Sequence, residues 1–219
     1  SASYVMSYTK GADFDEEQEN VLYATDEEQE NILDDGESGE WGTFTELRNI
    51  LTTSGYQNVV LYKNYRCEGP KDAIVIDHTI NINGNGHTID FAGKSNGFVF
   101  RNCAINLNNL RITGFAGTSS SSSYAISVES VTKYGKIENC IFEGNSHSVL
   151  SFAKSDKCTI SNCIFRNNSA RGAEIFYGTG NNVMTGCIFE NNGRFTSNEG
   201  YDTDKIISLK NEFLVENCI

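Results

Sequence analysis

Apolar and polar residues alternate along this chain in a pattern that recurs. Three nine-residue segments, beginning at Ile137, Ile160 and Met184, nearly copy one another. Each contains the run Cys-Ile-Phe, and each ends in Asn or Gly residues. Alternation with a period of two is typical of a β-strand, while Asn and Gly are typical of tight turns. Each copy therefore predicts a short strand followed by a turn.

The spacing of the copies predicts how they assemble. If Ile80 and Leu110 take the place of the cysteines in two weaker copies, successive copies lie 23 to 31 residues apart. A period of this size predicts a solenoid, a propeller or an array. The segments between the copies lack a helical period and are poor in Leu, and a propeller blade needs about 40–45 residues. The remaining architecture is a parallel β-helix, in which equivalent side chains stack about 4.8 Å apart.

The parallel register predicts columns of equivalent side chains. We expect four thiols, three benzyl rings and three amides to stack along the rod: Cys140, Cys163, Cys187 and Cys218; Phe142, Phe165 and Phe189; Asn145, Asn168 and Asn192. The cysteines and phenylalanines should face inward. Stacked amides can hydrogen-bond to one another and to turn backbone, so the asparagines should be structural. A further asparagine set should occupy the bend before the cysteines: Asn139, Asn162 and Asn217.

Residues 43–54 have the pattern of a short amphipathic helix. Thr43 and Glu46 have the spacing of a capping box. The apolar residues fall on one helical face: Phe44, Leu47, Ile50 and Leu51. Because a solenoid needs its first coil covered, we expect region 41–57 to cap a β-helix of about seven coils over 58–219. The last copy is cut short at the end of the sequence, which predicts that the chain is a fragment of a longer protein.

Charge is concentrated in the first 40 residues, which contain 13 Asp or Glu and one Lys. So many like charges with so few apolar anchors predict a solvated, flexible segment over 1–40. The remaining residues contain 16 acids and 16 bases. The net charge of −12 argues against a nucleic-acid partner, because phosphate binding needs clustered Lys and Arg. No stretch approaches the roughly 20 apolar residues of a membrane span, so we expect no membrane insertion.

Several motifs resemble those of large surface proteins. Phe-x-x-Asn occurs three times, and 171–175 is similar to a degraded Gly-Gly-Ala-Ile; together they resemble the polymorphic outer-membrane-protein repeat. Segments 42–47 and 80–90 are similar to the opening coils of adhesin-like proteins of methanogenic archaea. The resemblance covers about 42–219. It implies an all-β fold, a right-handed parallel β-helix (a pectin-lyase-like solenoid) with a short N-terminal capping helix, and a location on the cell surface.

Many β-helices cleave acidic polysaccharides, so an enzyme is the main alternative. Inverting glycoside hydrolysis needs two carboxylates about 6.5–9.5 Å apart. The motifs of the polygalacturonase family are present only as fragments, at 86–88 and 111–113, and the one Asp-Asp pair, at 34–35, lies in the acidic segment. The acids and base that a pectate lyase would need are scattered in the sequence: Asp77, Asp90 and Arg101. We therefore predict no catalytic residues.

The histidines and cysteines are weighed as possible site residues in the same way. Three histidines are single residues in polar turns and should be solvated: His78, His87 and His147. An odd number of cysteines, seven, cannot all pair in disulfides, and stacked side chains suit disulfide torsions poorly. Cys also behaves as a small buried hydrophobe, so we expect buried free thiols, which in a surface protein suit an organism living without oxygen.

Metal-binding patterns are incomplete in the sequence. The closest cysteine pair, Cys158 and Cys163, does not have Cys-x-x-Cys spacing. A calcium loop opening at Asp13 would need Gly and Glu where Gln18 and Ala24 stand. We predict neither a metal nor a cofactor.

Two insertions are candidates for contact with a partner. They begin at Gly117 and Gly193, at similar places in their repeats, and should protrude from the same edge, three coils or roughly 14 Å apart. The second contains a mixture common in recognition loops: Arg194, Phe195, Tyr201, Asp202 and Asp204. Either insertion could instead be a tolerated loop that touches nothing. An outward column is either strand packing under a loop or a contact stripe: Ile141, Ile164 and Ile188.

These observations predict an extracellular, adhesin-like β-helix that binds without catalysis. Its expected partner is a cell-surface protein or a glycan of another organism. Two alternatives stay open: a carbohydrate-active β-helix, either a lyase or a hydrolase, and a purely structural stalk with no ligand.

Overall fold

A computed structural model of the chain places most of the residues that it describes in short strands. The described residues are 5–8, 21–25, 41–53, 55, 57–69, 73–94, 97–117, 124–129, 135–153, 158–171, 176–179, 182–195, 207–210 and 214–219. Their side chains are described as well, except those of 5–8, 21–25, 105, 153, 170–171, 176–179, 194–195 and 207–210.

The strands, numbered in chain order, form three long sheets and one short one. Sheet A contains nine strands: β1 (Val5–Tyr8), β2 (Val21–Thr25), β4 (Asn58–Val60), β7 (Ile80–Asn83), β10 (Ile105–Asn108), β13 (Gly135–Glu138), β16 (Cys158–Ser161), β20 (Val183–Thr185) and β24 (Leu214–Glu216). Sheet B contains seven: β3 (Gly42–Thr43), β5 (Tyr65–Arg66), β8 (Thr88–Asp90), β11 (Arg111–Thr113), β14 (Ile141–Glu143), β17 (Ile164–Arg166) and β21 (Ile188–Glu190).

Sheets C and D lie on the connection from each sheet B strand to the next strand of sheet A. Sheet C contains six strands: β6 (Ile74–Ile76), β9 (Phe98–Arg101), β12 (Ile126–Glu129), β15 (Leu150–Ala153), β19 (Phe176–Thr179) and β23 (Ile207–Lys210). Sheet D contains two: β18 (Ser169–Arg171) and β22 (Gly193–Phe195). All described strand pairs are parallel except β1 with β2.

Each turn of the chain adds one strand to sheet A, one to sheet B and one to sheet C. The first complete turn is β4, β5 and β6, and the six strands of sheet C mark six such turns. Successive turns pair in register; Ile160 in β16, for example, pairs with Ile137 on one side and Met184 on the other. This is a parallel β-helix, so the predicted fold class is confirmed.

The core is the interior of the rod, which the period-two alternation fills with apolar side chains. Ile137, Ile160 and Met184 are fully buried in sheet A, and the inward side chains that are described in sheets B and C are buried as well, apart from the partly buried Phe189. Burying a side chain of this size contributes about 1.5–3 kcal/mol relative to leaving it exposed. Each turn therefore gains its stability from the turns above and below it.

The corner between sheets A and B explains why Asn-Cys recurs. In four turns this corner has two residues, and the first has a left-handed backbone, as at Asn139 (φ 54°), Asn162 (φ 52°) and Gly186 (φ 62°). Asn and Gly adopt that conformation more readily than other residues. The second residue is a buried thiol or Leu that faces the core, such as Cys140. A corner this tight needs a residue that tolerates positive φ and then a small apolar side chain.

Aromatic rings stack inside the rod behind sheet B. Phe142 and Phe165 are parallel within 10°, with ring centroids 4.8 Å apart. Phe165 and Phe189 are parallel within 3°, at 4.6 Å. These separations are close to the spacing of neighbouring strands, so the rings follow directly from the in-register pairing of β14, β17 and β21.

A buried asparagine ladder lies immediately after these strands. The Asn145 side chain donates to Oδ1 of Asn168 (2.9 Å), and the Asn168 side chain donates to Oδ1 of Asn192 (3.0 Å). Each of these acceptor oxygens also receives the backbone N–H of the residue above it, at 3.1 Å. Nδ2 of Asn168 additionally donates to the carbonyl of Phe142 (2.9 Å). The amides thus satisfy backbone groups that the corner would otherwise leave unpaired inside the protein.

The helix α1 (Phe44–Thr52) covers the first turn. Its capping box is formed: Glu46 N–H donates to Thr43 Oγ1 (3.1 Å), and Thr43 N–H donates to Glu46 Oε2 (2.8 Å). Leu47 and Leu51 are buried, and Ile50 packs partly buried against the core. Because α1 follows β3 at the place where later turns have a sheet C strand, it covers the end of the sheet that starts at β6. The predicted cap is confirmed.

Two short runs of the acidic N-terminal segment extend sheet A. β2 pairs in parallel with β4, and β1 pairs antiparallel with β2. These strands were not predicted, because their short apolar runs lie within a segment whose acidic charge predicts a solvated chain over 1–40. The rest of that segment lies outside the described residues, so its predicted flexibility stays a prediction.

One assignment in the predicted register is wrong. Ile80 does not share the cysteine column, because it pairs with Ile105 in sheet A. The register of β8 with β11 instead places His87 beside Leu110. The corner before β8 has four residues, with positive φ at Asn85 and Gly86, so counting back from later two-residue corners reaches the wrong strand.

Removing the central amide of the ladder should destabilise the protein. Asn168→Ala would leave the Asn145 backbone N–H without its acceptor in the interior and would remove one hydrogen bond to the Phe142 carbonyl, at a cost of about 2–4 kcal/mol. Urea unfolding followed by Trp41 fluorescence and circular dichroism measures the change.

The matched control is the next residue. Asn167→Gly changes an exposed asparagine with φ 53°, which Gly adopts freely, and should shift the free energy of unfolding by less than about 1 kcal/mol. Equal stability of the two variants would contradict the role of the ladder.

Candidate functional site

The predicted contact residues fall largely outside the described part of the chain. Arg194 and Phe195 lie in β22, whose backbone pairs with β18 in the register Ala170↔Arg194 and Arg171↔Phe195. The insertion therefore begins after Phe195 rather than at Gly193. Tyr201, Asp202 and Asp204, and the side chains of Arg194 and Phe195, lie outside the described residues, so their role in binding stays a prediction.

The position of both insertions in the fold is nevertheless clear. The connection from β11 to β12 contains 117–124, and the connection from β21 to β23 contains the second insertion. Both run from sheet B to sheet C, three turns apart. This corner varies in length from turn to turn, whereas the corner from sheet A to sheet B mostly has two residues. Chain length can therefore vary at this edge without disturbing the register of sheets A and B.

The outward face of sheet B carries charges that are paired between turns. Arg66 contacts Asp90 (Nε to Oδ2, 2.9 Å), and its guanidinium carbon lies 4.1 Å from the centre of the Trp41 ring. Glu143 is paired with both Arg111 and Arg166, the latter through Nε and Oε2 at 2.5 Å. Each arginine lies one turn from its carboxylate. The face is therefore a row of opposite charges that neutralise one another across turns.

The predicted isoleucine column lies on the same face, beside the charges. Ile141 pairs with Ile164, and Ile164 with Ile188. Ile141 and Ile164 are half-buried, and Ile188 is 36% exposed. In the turn before Ile141, the same row contains Arg111 in place of an isoleucine. The apolar surface is short and is bordered by charge.

The two acids that were weighed against the needs of a pectate lyase, Asp77 and Asp90, have separate environments. Asp90 is engaged by Arg66 and also accepts the Ala92 backbone N–H (2.7 Å). The register of β6 with β9 places Asp77 beside Arg101, but Arg101 pairs with Glu129 (3.2 Å). Asp90 lies in sheet B, on another face. The three residues are thus not gathered into one site.

The histidines differ from the prediction. His147 is only 2% exposed: its Nδ1 accepts the Ser148 backbone N–H (2.8 Å) and its ring meets Phe115 edge to face, with centroids 6.3 Å apart. The expectation of a solvated His147 was wrong, because the turn it occupies folds inward over Phe115. A Cβ at Gly117 would lie 2.2 Å from this ring, so the position, with φ 67°, requires Gly. His78 and His87 are partly buried.

The outward face of sheet A is lined by amides in its first turns. Asn81 donates to Oδ1 of Asn58 (2.6 Å), and Asn106 donates to Oδ1 of Asn81 (2.5 Å). A second row, two residues further along each strand, contains Asn83 and Asn108. From the fourth turn onward the rows are mixed: the first continues with Lys136, Thr159, Val183 and Leu214, and the second with Glu138, Ser161, Thr185 and Glu216. These amide rows were not predicted from the sequence, because they lie in the early turns, where the repeat is weak and its predicted register was wrong at Ile80.

The cysteine column consists of thiols that donate to backbone carbonyls. Cys140 Sγ lies 3.2 Å from the carbonyl of Glu138, and Cys163 Sγ 3.4 Å from that of Ser161. Hydrogen bonding with the Cys140 thiol raises the pKa of Cys163, and burial adds to the rise. Hydrogen bonding with the Cys163 thiol, together with burial, raises the pKa of Cys187. All seven cysteines are free thiols, and six are buried.

No metal centre or membrane span is found in the part of the chain that the structure describes. Among those residues, no three His, Cys, Asp or Glu side chains converge as metal ligands. The one helix there, α1, has nine residues and is too short to cross a bilayer.

Comparison with known proteins bears on the fold alone. A family model described as a right handed beta helix region matches residues 42–218. No curated protein matches the chain. No solved structure matches it either. The family match includes every complete turn of the rod and its cap, and it gives the hand of the helix.

The thiol column should be unreactive in the folded protein. The thiol pKa is raised at Cys163, Cys187 and Cys218 alike, so burial decides the order: the buried Cys163 and Cys187 should react with a disulfide reagent at pH 8 far more slowly than the partly buried Cys218. Labelling followed by peptide mass spectrometry measures the order of reaction, and equal rates for Cys163 and Cys218 would contradict it.

The same pKa shifts predict how stability depends on pH. Below the ordinary thiol value of 9.0 both thiols are protonated in the folded and unfolded states. Above it the unfolded chain releases protons that the folded chain keeps, so the free energy of unfolding should fall as pH rises. Urea unfolding from pH 8 to 10.5 should show a smaller fall for Cys163→Ala/Cys187→Ala than for the unchanged chain, and identical slopes would refute the assignment.

The charge row should contribute measurably to stability. Arg166→Met keeps the aliphatic stem but leaves Glu143, whose side chain is 12% exposed, with one partner instead of two. We expect a loss of roughly 1 kcal/mol in low salt that shrinks in 1 M salt. Arg101→Met is the matched control, because its pair with Glu129 is more exposed and should contribute less. A larger effect at Arg101 than at Arg166 would contradict this ranking.

Proposed function

The chain belongs to the right handed beta helix family, and from that premise we propose that it is an extracellular, adhesin-like rod that binds a partner without catalysis. The partner is a polymer on another cell surface, most simply a polysaccharide. A parallel β-helix repeats the same outward positions at every turn, about 4.8 Å apart, so it offers a polymer many equivalent contacts along one line.

The observation that carries this proposal is the pairing of outward acids with bases. Glycoside hydrolysis needs one carboxyl group that donates a proton and a second carboxylate that acts as base or nucleophile. Glu143 is held between two arginines and Asp90 is held by a third. Carboxylates whose oxygens are engaged in this way are suited to rigidify a surface, and the proposal places no proton transfer on them.

The amides of sheet A support binding in a different way. Amide side chains present donors and acceptors without charge, and they are held in rows by their own hydrogen bonds. Side chains that are already ordered lose less conformational entropy when a ligand binds. The extracellular location follows from this binding role and from the resemblance to surface proteins.

A two-part assay of the 219-residue chain tests the proposal. We expect it to be retained by at least one immobilised polysaccharide or cell-wall preparation from a panel of neutral, acidic and aminated polymers. We expect no reducing ends and no unsaturated uronate products, because in the described part of the chain Asp90 and Glu143 are engaged by arginines. Retention is measured by depletion from solution, and products by reducing-end assay and ultraviolet absorbance.

The outcomes separate the competing functions. Product release would identify a hydrolase or lyase and overturn the non-catalytic proposal. The absence of binding to every polymer and cell preparation would favour a stalk. The control is Asp90→Asn/Glu143→Gln, which should leave product formation at background, as in the unchanged chain.

A further inference from the structure

The three outward faces of the rod differ in how much hydrogen-bonding capacity they leave to a partner. On sheet B the charged groups engage one another across turns. On sheet C, Ser151 is 1% exposed and Arg101 is paired with Glu129. On sheet A, the first three turns present amides in two adjacent rows. A ligand that binds by hydrogen bonds has most to gain on sheet A.

The first row is a ladder of amides, each of which has hydrogen-bonding groups that the ladder does not use. A side-chain amide has two N–H donors and an oxygen that accepts two hydrogen bonds. Asn81 uses one N–H toward Asn58 and accepts one bond from Asn106. This leaves its second N–H and its second acceptor position, and Asn106 keeps at least as much. The ladder fixes the orientation of the amides while leaving half of their bonding groups available.

The second row of amides, two residues further along the same strands, adds further hydrogen-bond donors. Asn83 Oδ1 accepts the Asn85 backbone N–H (2.9 Å), and Asn108 Oδ1 accepts Nδ2 of Asn139 (3.0 Å). Their oxygens are thus oriented by the corner. Within the described ranges, no acceptor lies within hydrogen-bonding distance of the Nδ2 groups of Asn83 and Asn108. Two N–H groups per amide are available there.

The charge of this face selects the ligand. In the first three turns the described outward side chains of sheet A are Asn, apart from Val60, and none is ionisable. The ligand that fits is neutral and rich in hydroxyl groups, because a hydroxyl both donates and accepts, as an amide does. Tyr62, 38% exposed, lies at the edge of the face and offers a ring against which a sugar can pack.

We infer that the outward face of sheet A in the first three turns binds a neutral polysaccharide, which runs across the strands and hydrogen-bonds to Asn81, Asn83, Asn106 and Asn108. This inference rests on the proposed function and assigns its binding surface and its class of ligand. It places the contact on sheet A, and not at the insertion that follows Phe195.

The test compares two matched double variants on a defined panel. Asn81→Ala/Asn106→Ala removes the ladder, and Asn49→Ala/Asn102→Gly removes two exposed asparagines elsewhere: one on α1 and one with φ 54°, which Gly tolerates. The probes are cellulose, chitin, mannan and xylan as neutral polymers, with polygalacturonate and alginate as acidic ones. Binding is measured by depletion and by affinity electrophoresis, and circular dichroism with urea unfolding checks that each variant is folded.

We expect the unchanged chain to bind at least one neutral polymer more tightly than either acidic one. Asn81→Ala/Asn106→Ala should weaken that binding at least tenfold, and Asn49→Ala/Asn102→Gly should change it less than twofold. If the ladder variant proves unstable, Asn83→Asp/Asn108→Asp gives the same information, since it removes the donors from the second row without removing the ladder.

Each other outcome overturns the inference. Undiminished binding by folded ladder and second-row variants would leave the proposed function standing but move the surface elsewhere. Preference for the acidic polymers would refute the ligand class, and capture of a protein in place of any glycan would refute it as well. Failure to bind any polymer or cell preparation would refute the proposed function itself.

Discussion

Everything in this protein depends on successive turns stacking in register. Each strand residue is paired with the equivalent residues one turn above and one turn below. A side chain that packs well at an inward position of one turn therefore packs equally well at the same position of the next turn. Two features hold that register. The two-residue corner after sheet A combines a left-handed Asn or Gly with a buried apolar side chain, and the amides of Asn145, Asn168 and Asn192 join the next corner through hydrogen bonds. Sheet strands alone would permit slippage, whereas these corners do not.

The same periodicity organises the surface. Because inward positions are fixed by the core, outward positions are fixed too, and each face becomes a set of parallel rows. On sheet B the outward charges form ion pairs between turns, and Glu143 is paired with both Arg111 and Arg166. Sheet A uses its first rows for amides. The faces therefore differ in chemistry, and the binding that we propose requires no pocket, because repetition supplies the area.

Much of the fold could be predicted from the sequence because the repeat is itself a physical constraint. Nearly identical runs around Cys140, Cys163 and Cys187 imply identical environments, which only a stack of turns supplies, and the capping box at Thr43 marks where α1 begins.

Prediction failed where the repeat decays. Ile80 was misplaced because the corner before β8 is longer, and His147 was taken as solvated because its turn contains no repeated residue. The cross-turn ion pairs were also missed, although aligning the residue after each inward ring would have found Glu143, Arg166 and Glu190 in one row.

Spin-label distances measure the stacking most directly. Nitroxide pairs on the outward face of sheet A can join Lys136 to Thr159, to Val183 or to Leu214, which are one, two and three turns away in the register. In a chain with Cys218 replaced by Ser, dipolar broadening should decrease stepwise across the three pairs, in line with separations of about 5, 10 and 14 Å. Equal broadening in all three pairs, or the strongest broadening in the Leu214 pair, would contradict the in-register rod.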